Sequence, residues 1–241
     1  MTMPDDHLET VRAAVADEPA AADDGPGIVG LLSRLCRAAS RDLPASGVGI
    51  SLVADGGLMT AAASEAAIAT VEDLQFTLGE GPCLAAFGSR RPVLVADLDE
   101  AAATIWPVYA SAAGEHGVRA VFAFPLQVGV ARLGALDVYR AERGALTAWT
   151  MARALTYADA ATHAVLDTTD DAAELVVFAD DVAESRLEVY QAQGMLTVQL
   201  GISAERALML LRAYAFAHDR DIAEVASDVI ARRLTLEHDE L

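Results

Sequence analysis

Residue types capable of covalent or metal chemistry are sparse in this chain of 241 residues, and that scarcity limits what it can do. The two cysteines, Cys36 and Cys83, are too few for a disulfide framework or a four-ligand zinc site, and their separation fits no redox motif. Each reads as a small buried hydrophobe. All 17 basic residues are Arg, and neither Lys nor Asn occurs, which excludes a Schiff-base lysine and an Asn ligand. Glu80 and Asp97 have no partnered acid or nucleophile, so paired-carboxylate chemistry is unsupported. His116 and His163 stand singly on expected helices and read as structural. No catalytic residue, metal ligand or cofactor is assigned, and the chain reads as a non-enzyme.

What remains is guanidinium chemistry. The net charge of −19 argues against indiscriminate nucleic-acid binding, since phosphate contacts supply most non-specific affinity. The charge is unevenly placed, however. Seven acids and no Arg occur between Asp167 and Glu184, whereas six acids and six Arg balance between Arg186 and Leu236. A neutral module with grouped Arg is able to hold a specific RNA. The exclusive use of Arg points to a GC-rich coding background, which lowers the weight of any one of them.

The elements that must position those arginines are three short helices. The first is expected over Glu184 to Leu200, with Leu187, Val189, Met195, Leu196, Val198 and Leu200 near helical spacing and Gly201 to end it. Ser203 caps a second, Ala204 to Ala217. Asp221 and Glu224 have capping-box spacing and start a third running towards Leu234. On the second helix Ala207, Leu208, Leu211 and Ala215 form one face, while Met209, Tyr214 and Phe216 fall elsewhere. Such a helix needs two burial surfaces, and about fifty residues make a marginal core, so a dimer contact is the preferred second surface.

Towards the N-terminus, residues 1–27 read as a mobile leader with a short helical stretch at Leu8 to Val15. A helix follows from Ile28 to Asp42, then a hairpin of Val48 to Leu52 and Leu58 to Ala63 around Asp55-Gly56-Gly57. Glu65 to Leu74 is helical, and a Gly-rich turn from Thr77 leads into a helix at Cys83 to Ser89. Arg91 to Leu98 reads as a strand and Ile105 to His116 as a helix, with Pro107 in its first turn. Val118 to Val128 and Ala131 to Tyr139 are strands joined at Gly129. Thr147 caps a long helix, Ala148 to Leu166, with Met151, Leu155, Ala158 and Val165 inward. Residues 167–185 form an acidic connector carrying the apolar patch Glu174 to Phe178, and 237–241 a tail. This is an α+β organisation, an antiparallel sheet flanked by helices followed by an all-α three-helix bundle.

With 54% hydrophobic residues the chain can bury a real core. No uncharged run exceeds the 16 residues from Val189 to Ala204, short of the roughly 18 apolar residues of a membrane helix. The acidic start, MTMPDDHLET, is unlike a secretory signal. A soluble, cytoplasmic protein with no membrane partner is expected.

Residues 28–166 resemble a GAF domain, through Phe76-Thr77-Leu78-Gly79-Glu80-Gly81-Pro82-Cys83, the segment Gly117 to Leu126, and Arg132-Leu133-Gly134-Ala135-Leu136-Asp137. Residues 186–236 resemble an ANTAR domain, through Gln191-Ala192-Gln193-Gly194-Met195-Leu196, Ala207-Leu208, Leu211-Arg212, Ala215 and Ile222-Ala223-Glu224-Val225-Ala226. Together they are similar to the GAF-ANTAR regulators common in actinobacteria. The resemblance implies a transcription antitermination regulator. Its GAF domain senses a signal, and its C-terminal module binds paired stem-loops in nascent RNA so that a terminator cannot form.

Hairpin loops present unstacked bases to aromatic and guanidinium groups, and a homodimer gripping two loops gains from effective concentration. The expected RNA-binding residues are Tyr190, Gln191, Ala192, Gly194, Met195, Arg206, Arg212, Tyr214 and Arg220. Arg212 and Arg220 reach phosphate or a base edge, unless they are solvated or paired with Glu205 or Asp219. Gly194 either admits RNA or a partner helix, or packs inside the bundle. Many ANTAR sequences place Lys where this chain has Gln193.

In the sensory domain Trp106, Tyr109, Phe122 and Phe124 are the expected lining of a small-molecule pocket, against a reading as ordinary core. The Asn and Lys of the cyclic-nucleotide GAF signature are missing. Two other readings compete with RNA binding. One is a non-enzymatic sensor whose C-terminal helices serve dimerisation or protein docking. The other is a methionine sulfoxide reductase of the GAF type using Cys83, for which Cys36 is the only resolving thiol.

Overall fold

The computed structural model describes residues 4–21, 24–54, 57–102, 104–168, 188–218 and 220–236. The acidic connector after residue 168, its apolar patch, the tip of the first hairpin and residues 184–187 of the first C-terminal helix lie outside them. The chain divides into two compact units, one holding the sheet and one the C-terminal helices.

Five antiparallel strands make the sheet: β1 Gly47–Ala54, β2 Gly57–Ala63, β3 Val93–Val95, β4 Ala120–Val128 and β5 Ala131–Arg140, in the order β2-β1-β5-β4-β3. Gly129, at φ 56°, supplies the left-handed residue that the tight β4–β5 turn demands. The central pairing joins β1 to β5, which are distant in sequence, and it fixes which side chains share a face.

Ile50 opposes Leu136, while Val138 and Leu136 oppose Phe122 and Phe124, so these residues form one apolar face. Helices α2 Gly27–Asp42 and α7 Ala148–Thr168 pack on it. Gly49 opposes Asp137, Ser51 opposes Ala135 and Val121 opposes Tyr139, which places a polar set on the other face. Helices α3 Ala66–Leu78 and α4 Pro82–Ser89 cover that side. Gly47 and Gly49 make the close fit of α3 possible, because a Cβ on either would overlap Ile68 or Glu72. Covering both faces is why β4 and β5 read as nearly continuous apolar runs.

Several boundaries move for identifiable reasons. Residues 4–16 form helix α1 with Val11 and Val15 buried against α2 and α7, so this stretch is a packed helix and not a mobile leader. Beyond it, buried Glu18 pairs with Arg37 and Arg41. Helix α3 continues four residues past Leu74 and stops before Gly79, whose φ of 71° is left-handed. The expected strand at 91–98 shrinks to Val93–Val95, since Pro92 has no N–H and Asp97 turns the chain into the short helix α5 Leu98–Ala102 by accepting from the N–H of Asp99 and Glu100. Helix α6, Pro107–Glu115, starts at its proline. Thr147 accepts from the Thr150 N–H at 3.1 Å and caps α7 as expected, but Leu155 faces solvent; Ala154, Tyr157, Ala158, Ala161 and Val165 face inward.

In the second unit α8 occupies residues 188–200, α9 is Ala204–Ala217 and α10 is Ile222–Ile230. Ser203 accepts from the Arg206 N–H at 3.2 Å and Asp221 from the Ala223 N–H at 2.7 Å, two N-caps placed where the sequence puts them. Gly201 sits at φ 64° between α8 and α9. Helix α10 stops four residues short of Leu234: Arg232 adopts φ 56°, and the N–H groups of Arg233 and Leu234 fold back onto the Asp228 carbonyl. Val189, Ala192 and Leu196 of α8, Ala207, Leu210, Leu211 and Ala215 of α9, and Ile222, Val225, Ala226 and Val229 of α10 are the buried set. Leu210 takes the core place expected of Leu208. Val198 is 84% exposed, and Met209 and Phe216 are 52% and 53% exposed. Among the described residues no helix is long and apolar enough to cross a membrane.

Candidate functional site

The three C-terminal helices distribute the nine expected RNA-contact residues unequally. Gln191, Gly194 and Arg206 are exposed, and Tyr190, Met195, Arg212, Tyr214 and Arg220 are half-buried. Ala192 is fully buried and is a core residue, which removes it from any interface. A Cβ at Gly194 would meet nothing, so this glycine faces open space and is not there for packing within the bundle. Tyr214 stacks on His218 at a centroid distance of 3.9 Å, and the ring is thereby already partnered. Gln193 donates from Nε2 to the Ala204 carbonyl at 2.7 Å and ties α8 to the start of α9.

Arg220 donates to Asp228 Oδ2 at 2.7 Å, and Asp228 also accepts from Arg233 at 2.6 Å. The two guanidinium groups hold the Asp228 carboxyl below its usual range, and the Asp228 hydrogen bond raises Arg220. Burial pulls Arg212 the other way, below the usual guanidinium value. Asp219 lies outside the described residues.

The four expected pocket aromatics are not brought together. Phe122 and Phe124 belong to the apolar face beneath α2 and α7. Tyr109, on α6, is buried on the opposite side, and Trp106 is the half-buried N-cap of that helix. Glu80 caps α6 in turn, its Oε1 accepting from the N–H of Val108 and of Tyr109 at 2.9 Å each.

A polar cluster occupies the face that α3 and α4 cover, and it includes a carboxylate pair that the sequence did not disclose. Ser51 donates to Glu72 Oε2 at 2.9 Å and Tyr139 donates to Glu72 Oε1 at 2.9 Å. Gln75 Nε2 donates to Asp137 Oδ2 at 2.8 Å and to the Tyr139 oxygen at 3.1 Å, while Gln75 Oε1 accepts from the Cys83 N–H at 2.8 Å. One glutamine thus links α3, α4 and β5. All six side chains are buried. Burial pushes Asp137 up to about 6 and raises Glu72, which also feels the charge of Asp137. The thiol of Cys83 is raised by burial and by both acids, the reverse of what a nucleophilic or peroxide-reactive cysteine requires. Cys36 is buried and raised as well. Two signals for this cluster were present in the sequence. Asp137 interrupts the apolar run Leu133 to Tyr139, and Glu72 and Gln75 lie three apart on one helix.

The chain belongs to the GAF domain family, whose model matches residues 27–165, and residues 180–230 match the ANTAR domain. GAF domains are sensory and ANTAR domains are RNA-binding antitermination modules, so the general role is a regulatory one. No curated protein matches the chain. Among solved structures it is similar to the GAF domain of a phosphoenolpyruvate-protein phosphotransferase from Coxiella burnetii, at 19% identity and a TM-score of 0.54 over 71% of this chain and 99% of that one. The corresponding Acinetobacter domain matches at 11% identity and a TM-score of 0.49, over 71% and 98%. A free methionine-R-sulfoxide reductase from Neisseria meningitidis, solved with its substrate, matches at 18% and 0.48, over 70% and 91%. At 19% identity the likeness to the Coxiella domain speaks for fold alone.

Proposed function

We propose that the protein is a non-enzymatic, cytoplasmic regulator of transcription antitermination, in which the ANTAR module binds paired stem-loops of nascent RNA under control of the GAF domain. The observation that carries this is the ANTAR match over 180–230, which takes in α8, α9 and α10, with Arg206 and Arg212 on the capped helix α9 and Arg220 just ahead of the capped helix α10. Gln191, Gly194 and Arg206 form the accessible part of the RNA surface, with Tyr190, Met195, Arg212, Tyr214 and Arg220 at its edge. Homodimerisation covers the exposed Met209 and Phe216, seven residues apart on one stripe of α9, and presents two modules to two loops. The same exposure favours a second reading, in which the helices only dimerise or dock a protein.

Crosslinking in cells followed by sequencing of bound RNA tests the first reading and identifies its targets. Recovery of transcripts with tandem hairpins ahead of a terminator is expected. The double substitution Arg212→Ala and Arg220→Ala separates the two readings: loss of RNA with the dimer intact supports antitermination, and unchanged regulation assigns the helices to docking.

A further inference from the structure

The polar cluster beneath α3 and α4 holds more acid than its own hydrogen bonds balance. The thiol of Cys83 and the carboxylates of Glu72 and Asp137 offer donor atoms that all lie within 4.8 Å of one another, and all three residues are buried. Neither carboxylate pairs with a cationic side chain among the described residues. Ser51, Tyr139 and Gln75 all donate towards the carboxylates, so both Glu72 oxygens and Asp137 Oδ2 serve as acceptors. Two buried oxygens then remain without a hydrogen-bond partner, Asp137 Oδ1 and the Tyr109 hydroxyl. Tyr109 sits on another helix, α6, and is buried beside Glu72, Cys83, Asp137 and Tyr139. Two acids at such a depth call for a shared proton or a bound cation to offset their charge.

We propose that Glu72, Cys83 and Asp137 bind one divalent transition-metal ion, with zinc the best match. A thiolate beside two carboxylates is a borderline-soft set, whereas magnesium and calcium select oxygen alone and more ligands. Donors up to 4.8 Å apart are wider than the roughly 3.5 Å that tetrahedral zinc with bonds of 2.0–2.3 Å sets, so binding draws them inward. The ion displaces the thiol proton and any proton held by the carboxylates. Ser51, Tyr139 and Gln75 remain as donors that orient the ligating oxygens. Ligands from α3, α4 and β5 would then be locked together, which makes metal occupancy an input that the sensory domain is built to register. This assignment stands apart from the RNA-binding reading and survives its failure.

The test uses the tag-free full chain, loaded with zinc and assayed for metal content, and in parallel titrated with cobalt while the near-ultraviolet thiolate-to-cobalt band is recorded. About one equivalent of zinc, a cobalt band, and the loss of both in Cys83→Ser and in Asp137→Asn are expected, with the band intact in Cys36→Ser. Should the Asp137 variant fail to fold, the wild-type band and the contrast between the two cysteine variants decide. A folded wild-type chain that takes up neither metal overturns the proposal, as does a band that survives in Cys83→Ser.

Discussion

Arg220, in the turn before α10, and Asp228, on that helix, are joined by a hydrogen-bonded ion pair of 2.7 Å, and Asp228 holds Arg233 as well. An RNA phosphate reaching Arg220 has to compete with that carboxylate. Asp228→Asn is therefore expected to tighten RNA binding by about threefold, the scale of a surface ion pair. It should also steepen the dependence on salt, as read by fluorescence anisotropy from 50 to ~200 mM salt. Unchanged affinity would place Arg220 outside the interface.

Gly194 gives a substitution whose effects on stability and function run in opposite directions. With open space around it, Gly194→Ala is expected to stabilise the helix by about 1 kcal/mol. If RNA or a partner helix seats against that position, the added methyl group weakens binding while the unfolding midpoint rises. A rise in both would remove Gly194 from the surface.

Ser203→Ala and Asp221→Ala each delete a cap seen in the second unit. Each is expected to lower stability by about 1 kcal/mol in denaturant melts, with additive effects because the caps serve different helices.

The Arg37 guanidinium holds Asp24 down to about 2, below its ordinary 3.8. A depressed carboxyl contributes stability that is present above pH 4 and lost as the pH falls towards 2. Roughly 1 kcal/mol is expected after solvent screening. Thermal melts of wild type and Asp24→Asn should differ at pH 6 and converge by about pH 2; a constant gap would mean that the pair does not set this acid's titration.

Gly49→Ala tests the seating of α3 on the sheet. The new Cβ would overlap Glu72, which cannot retreat without giving up Ser51 and Tyr139, so a loss of about 1–3 kcal/mol is expected.

Helix and strand order was legible in the sequence, because amphipathic spacing and N-caps are local: Ser203, Asp221 and Thr147 all cap the helices they precede. Places decided by tertiary contact were not. Leader residues 4–16 lack a strong pattern yet bury Val11 and Val15, and Ala192 looked like a contact residue although it is core. The polar cluster was hidden for a related reason. Glu72, Cys83 and Asp137 meet only once β1 pairs with β5 and two glycines admit α3, and no spacing in the sequence encodes that meeting. The nearer candidates, Glu80 and Asp97, cap α6 and α5.

The proposed function turns on recognition of paired hairpins by the C-terminal module. Its most direct test is titration of the full chain, at one fixed salt concentration, with RNA carrying two stem-loops, one stem-loop, or two with scrambled loops. The paired RNA is expected to bind at least about tenfold more tightly than either control, because two linked sites engage together. Equal affinity for all three would contradict it.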